Sequence, residues 1–258
     1  MPLRDLQTAL GSMLTAQAAS QTTVLPLGNL NLTAQERTWL TQLIGAPGFE
    51  ITCYIQRWWR ETKLRWTARL TLAAIRAAEP NKEAEVLRSY LDATPLSSLF
   101  FTPEAVGFLE FAAREAGTLP HVADIARFEQ ALLLVKDAAL QFAEKTDEAE
   151  EQNFDELPPD MRLAPHPAAT LLEFAAPPEE LLGALVAGHR LPPARVERFP
   201  ILIAPGLPHL WRPATPEEAR IFAACQMTAT LGNLRTLTPG ATQISQLLIR
   251  FSALQLSS

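Results

Sequence analysis

A chain of 258 residues with 48% apolar and 19% charged side chains has enough apolar surface to bury a core, which excludes wholesale disorder. The net charge of −6 is uneven: residues 1–164 carry 15 Lys and Arg against 22 Asp and Glu, and residues 165–258 carry 7 Arg against 6 Glu. Neither part has the cationic excess that phosphate neutralisation requires, which argues against nucleic acid as a partner.

The opening MPLRDLQTALGS sets Arg4, Asp5 and Gln7 where a secretion signal needs an apolar run. Leu3, Leu6, Leu10, Met13 and Leu14 instead recur at helical spacing and predict an amphipathic helix over 3–19. A second helix is predicted from Thr33, where Thr33 and Glu36 form the T-x-x-E pattern of a capping box, and it stops near Gly45. A third runs from Phe49 to Ala78, with Ile51, Ile55, Trp58, Thr62, Trp66, Leu70 and Ala73 as its expected buried stripe. Further helices fit 82–93, 103–116 and 121–144, with Pro103 in a first turn, where a missing N–H costs nothing.

Between Glu144 and Glu156 stand seven acidic residues and one lysine, followed by Pro158 and Pro159. Such a stretch repels itself and reads as a linker. The expected organisation is therefore a helical domain over 1–145, an acidic and proline-rich linker over 146–164, and a second domain over 165–258.

In that second domain, strands are predicted at 169–174, 199–204 and 207–212, the last two joined by Pro205 and Gly206 as a hairpin. Helices fit 178–188, 215–231 and 240–250, the second capped by Thr215 with Pro216 in its first turn. Strands feeding helices across a short turn give a winged-helix-like order. The fold class expected is mainly α: an N-terminal helical bundle and a C-terminal α+β winged-helix-like domain.

The chemistry-bearing residues are sparse. Cys53 and Cys225 are far apart and support neither a disulfide framework nor a zinc site. His121, His166, His189 and His209 show no ligand spacing, so no metal site is expected, and His121 with Asp124 reads as a capping and surface pair. There is no G-x-S-x-G, Gly-rich phosphate loop or G-x-G-x-x-G, and the chain is not expected to be an enzyme or to carry a cofactor. The longest apolar runs, such as Leu181 to Ala187, are too short to cross a bilayer, and a cytoplasmic location is expected.

Two stretches point to binding. In RWWRETKLRW, Trp58 and Trp66 join the expected core stripe, while Arg57, Glu61 and Arg65 line up as a mutually screened row, with Arg69 beyond. That row reads first as a solvated face and second as a face that docks protein. In LPHLWR, Leu207, His209 and Trp211 share one face of the predicted strand, and Pro208 and Pro213 favour a sheet edge. An open edge accepts an extended peptide as an added strand. A DNA-reading use of the last helix, ATQISQLLI, is disfavoured because no Lys or Arg precedes Arg250. A winged-helix transcription regulator is nevertheless the alternative reading.

The order of these features resembles a family of bacterial partner proteins, often labelled DNA-binding, that accompany multinuclear non-heme iron oxidative enzymes in ribosomal-peptide biosynthesis. LRDLQTAL resembles the family's opening. Tyr90-Leu91 through Pro95, Ser97, Leu99, Gly107-Phe108 and Phe111 resembles its helical domain, and the run Leu119 to Glu129 is similar to its "PYLPDLARLE" helix. His166-Pro167-Ala168 leading into Leu171-Leu172-Glu173-Phe174 and Ala176-Pro177, Ile201-Leu202-Ile203 to Trp211-Arg212, and Thr215 to Ala219 resemble its second domain. Over 20–80 the chain departs, with a Trp- and Arg-rich helix where the family shows a tyrosine-rich one.

The resemblance implies a non-catalytic accessory subunit. It would pair with an iron-dependent oxidase, which holds the iron, and capture the leader of a precursor peptide whose cysteine the oxidase modifies. On this reading a peptide-recognition-element-like domain would offer Ile201, Ile203, Leu207, His209, Trp211, Arg212 and Leu247 to the peptide. Arg57, Arg65, Arg69, His121, Asp124 and Arg127 are the candidates for docking the oxidase.

Overall fold

The computed structural model describes residues 3–19, 30–95, 101–143, 158–227, 229–238 and 240–257. The acidic stretch 144–157, and Ser97 and Leu99, lie outside them. The described chain is mainly helical, with eleven helices and two small antiparallel sheets, and divides into compact units at 116/117.

The N-terminal unit holds α1 (Leu3–Ala18), α2 (Ala34–Ile44), α3 (Phe49–Thr67), α4 (Arg69–Ala78), α5 (Lys82–Ala93) and α6 (Phe101–Glu115). The predicted capping box forms: Thr33 Oγ1 accepts the Glu36 N–H at 3.2 Å, and Glu36 accepts the Thr33 N–H at 2.7 Å. Helix α3 is the hub, packing against α1, α4, α5 and α6. The single helix expected over 49–78 is broken at Ala68, which leaves helical dihedrals at φ −115°, ψ 34°, although its N–H still reaches the Leu64 carbonyl. The break lets α4 turn Thr71, Leu72, Ala74 and Ile75 inward on its own axis.

The expected buried stripe of α3 is overturned. Phe49, Cys53, Arg60, Lys63 and Leu64 face the core, while Ile51, Trp58 and Trp66 are 64%, 63% and 66% exposed, with Tyr54 and Ile55 also exposed beside them. The two faces lie half a turn apart, and both fit a 3.6-residue period. What selects the first is complementarity inside the unit: Glu104 meets Arg60 at 2.6 Å, and the Thr94 carbonyl accepts from it at 2.9 Å.

The C-terminal unit begins with α7 (Val122–Ala143), followed by β1 (Arg162–Pro165), β2 (Thr170–Phe174), α8 (Pro178–Ala187), β3 (Phe199–Ile203) and β4 (Trp211–Pro213). It closes with α9 (Pro216–Gln226), β5 (Ala229–Thr230), α10 (Leu231–Leu237), α11 (Ala241–Arg250) and β6 (Leu254–Ser257). One sheet has the order β2-β3-β4, the other β5-β1-β6, every pairing antiparallel. Strand alternation sends Leu171 and Leu202 to a core shared with Ile221, Phe222, Leu234 and Leu248. The opposite face of the first sheet meets α7, whose Phe128 packs edge-on against Phe174 and Trp211.

The predicted helix over 121–144 thus belongs to the C-terminal unit, not to the helical one, because its apolar face covers β2 and β3. Part of the expected linker is ordered too. Leu163 of β1 is fully buried, and Pro159 and Met161 accept the N–H groups of Gly232 and Leu231. The strand expected over 207–212 shortens to Trp211–Pro213. Residues 204–210 form a compact turn in which Leu210 adopts φ +63° and its carbonyl accepts the Ala204 N–H. Gly206 makes the turn possible: a Cβ there would lie 2.7 Å from the Phe251 backbone, whose carbonyl accepts the Gly206 N–H.

Candidate functional sites on the outer face of one helix and the rim of one sheet

The outward face of α3 is built by Ile51, Tyr54, Ile55, Trp58 and Trp66, with Trp58 and Trp59 stacked at 6.0 Å. From Ile51 to Trp66 the row runs about 22 Å along the helix. At roughly 150–250 Å² per aromatic side chain, the exposed part reaches several hundred Å², the size at which an apolar patch on a monomer marks an interaction site. The charges beside it are already satisfied within the unit. Arg57 meets Asp92 at 2.5 Å, and Arg65 holds Glu61 at 2.8 Å and also bridges Glu83. The cations expected to form the docking row therefore clamp α3 to its neighbours, and Arg69 stands exposed at the start of α4. A cavity of about 10 Å³ behind α3, between Leu14, Cys53, Arg57 and Arg60, holds one water at most.

His121, Asp124 and Arg127 lie in the C-terminal unit, so the docking candidates fall into two separate groups. His121 is buried in the left-handed region at φ +64°, its Nε2 2.8 Å from the Pro192 carbonyl. Asp124 faces Arg198 at 3.6 Å and Arg127 at 3.9 Å. Together they pin the segment leading into β3 to the start of α7. The surface pair expected of His121 and Asp124 is thereby corrected to an internal clip.

The peptide candidates are placed as follows. Ile201, Ile203 and Leu207 are buried and support the sheet from within; His209 is exposed on the turn; Trp211 is half-buried against Phe128. Arg212 donates to Glu218 at 2.9 Å and lies 5.2 Å over the Phe251 ring. Leu247 is 38% exposed on α11. Burial pushes the Glu218 carboxyl up, but Arg212 and the Thr215 backbone N–H outweigh it and hold its pKa below the ordinary value.

Strand β4 is an edge, as the prolines predict, but a blunted one. The Leu210 carbonyl accepts the Ala204 N–H just beyond β3, and the Ala214 N–H donates to the Pro200 carbonyl of β3, so alternation turns the backbone groups of Trp211 and Pro213 outward. Pro213 has no N–H, and its carbonyl already accepts from Arg212 at 2.9 Å. The opposite rim, β2, carries no proline over Thr170–Phe174. Sequence reasoning missed it, although TLLEF without proline, set beside prolines 208 and 213, was the available signal.

Neither cysteine is poised as a nucleophile: burial raises the Cys53 thiol and pushes Cys225 up to about 12, where the thiolate is scarce at neutral pH. Among the described residues no three His, Cys, Asp or Glu side chains converge as a metal-ligand group, and no helix is long and apolar enough to cross a membrane. No family model matches the chain, and a search of curated proteins finds no match.

Proposed function

We propose that this chain is a non-catalytic partner protein that docks an iron-dependent peptide-modifying oxidase on the outer face of α3. Its C-terminal unit, read as a winged-helix-like, peptide-recognition-element-like domain, captures the precursor peptide so that a cysteine reaches the iron held by the oxidase. The observation that carries the docking role is the inverted α3: Trp58 and Trp66 stand in solvent while Arg60 and Lys63 are buried. Leaving a large apolar side chain exposed forgoes about 1.5–3 kcal/mol of burial each, and buried aromatics are what dominate protein interfaces. With Arg57 and Arg65 neutralised internally, the face suits an apolar protein surface better than a phosphate backbone. The resemblance over the opening helix, residues 119–129 and the second unit supplies the identity of the partner.

Co-expression with an iron-dependent peptide-modifying oxidase tests the reading. The wild-type chain is expected to retain the oxidase through affinity purification and gel filtration. The double variant Trp58→Glu/Trp66→Glu is expected to lose it by more than tenfold, with its own stability within about 0.5 kcal/mol of wild type, the usual range for surface substitutions. Equal retention by both chains would sink the proposal.

A further inference from the structure

The sheet β2-β3-β4 has two rims, and the hydrogen-bond pattern says which is open. Ala204 and Pro200 direct their backbone groups to the β4 side, as their bonds to Leu210 and Ala214 show, so Phe199, Ile201 and Ile203 face β2. In the observed register these three pair with Phe174, Leu172 and Thr170. The backbone N–H and C=O groups of Leu171 and Glu173 consequently point away from the sheet. No hydrogen bond among the described residues engages them outside the sheet. The rim therefore offers two donors and two acceptors in alternation, against the single residue, Trp211, left free on β4. The side chains on the rim differ: Leu171 packs partly into the core, Leu172 is half-buried on the α7 face, and Glu173 is exposed with no ion-pair partner among the described residues.

From this juxtaposition we propose that β2 is the strand that receives an extended peptide, and that the peptide presents a basic residue opposite Glu173 and an apolar one opposite Leu171. Those two residues are separated by one position, because only every second side chain of an added strand shares a face. The residue between them falls beside Leu172 and is apolar as well. Main-chain bonds give the affinity and the flanking side chains give the choice of sequence. An opposite charge directly across from Glu173 adds to the pairing, and a like charge opposes it. This inference rests on the reading that the C-terminal unit captures a peptide; it adds which rim does so and what the rim selects.

The test selects a phage-displayed random decapeptide library on the purified full-length chain and measures one enriched peptide by fluorescence anisotropy and amide exchange. Enriched sequences are expected to carry Lys or Arg two positions from an aliphatic residue, and binding is expected to slow exchange at the Leu171 and Glu173 amides. Glu173→Pro removes an outward donor that the folded sheet does not use and is expected to weaken binding roughly tenfold. Glu173→Lys keeps the donor and is expected to shift the selected residue from basic to acidic. Peptides that protect Trp211 and bind both variants as well as wild type would overturn the assignment to β2 while leaving peptide capture intact. A library that yields no binder would overturn peptide capture itself, and this inference with it.

Discussion

Arg60 is 4% exposed, and its guanidinium is satisfied by one carboxylate and one carbonyl, from Glu104 and Thr94. A buried pair of this kind is weak evidence of net stabilisation, but removing one partner leaves the other charge without compensation. Arg60→Ala is therefore expected to lower stability by about 3–5 kcal/mol. Replacing the pair by Arg60→Met/Glu104→Leu is expected to cost far less, and urea unfolding of both variants separates the two cases. Glu218 gives a pH dependence of known sign in the other unit. Its folded pKa lies below the ordinary value despite burial, because Arg212 and Thr215 favour the carboxylate. Its contribution is then fully present above the ordinary glutamate range, near 4.3–4.5, and is lost as pH falls through the lower folded value. The stability of the C-terminal unit is expected to decline across that acidic window. Glu218→Gln should flatten the decline and cost about 1.5–3 kcal/mol at neutral pH, the range for hydrogen bonds to charged groups; the urea midpoint as a function of pH reads both.

At the level of elements, the helices are largely legible in the sequence and their faces are not. Caps and prolines are local chemistry, and Thr33 with Glu36, Thr215 with Pro216, and the stop at Gly45 act in the structure where the sequence places them. Helix α3 shows the limit. A period of 3.6 locates two opposed rows, and hydrophobicity alone chooses the tryptophans; only the position of Glu104, 44 residues away, makes Arg60 the inward group. The strand expected over 207–212 shortens for a related reason. Alternation in LPHLWR describes a strand, but Gly206 against Phe251 and the left-handed Leu210 convert its first half into a turn, and the Phe251 contact is distant in sequence. Strands β1, β5 and β6 are two to four residues long, at or below the shortest length at which a pattern of two declares itself. The open rim at β2 leaves only a faint trace in the sequence, the absence of proline from TLLEF, because the direction of hydrogen bonds defines it.

The division of the whole chain falls elsewhere than composition puts it, for a physical reason as well. Composition marks the acidic stretch as the least cohesive segment, and a boundary there assigns 121–144 to the helical half. Packing assigns it otherwise. Val122, Ile125, Phe128 and Val135 are fully buried on α7, and Phe128 fits edge-on between Phe174 and Trp211 of the sheet. His121 and Asp124 add the clips to Pro192 and Arg198. Each large apolar side chain lost from such a face removes about 1.5–3 kcal/mol, and four of them approach the whole stability of a domain, about 5–15 kcal/mol. A fragment of residues 117–258 is therefore expected to unfold cooperatively in urea with dispersed amide spectra. A fragment of residues 158–258, which lacks α7 and the acidic stretch, is expected to lack a cooperative transition and to bind a hydrophobic dye, since Phe174, Ile201, Ile203 and Trp211 would lose their cover. Equal cooperativity in the two fragments would show that α7 is dispensable to the sheet, and would return the helix to the N-terminal half.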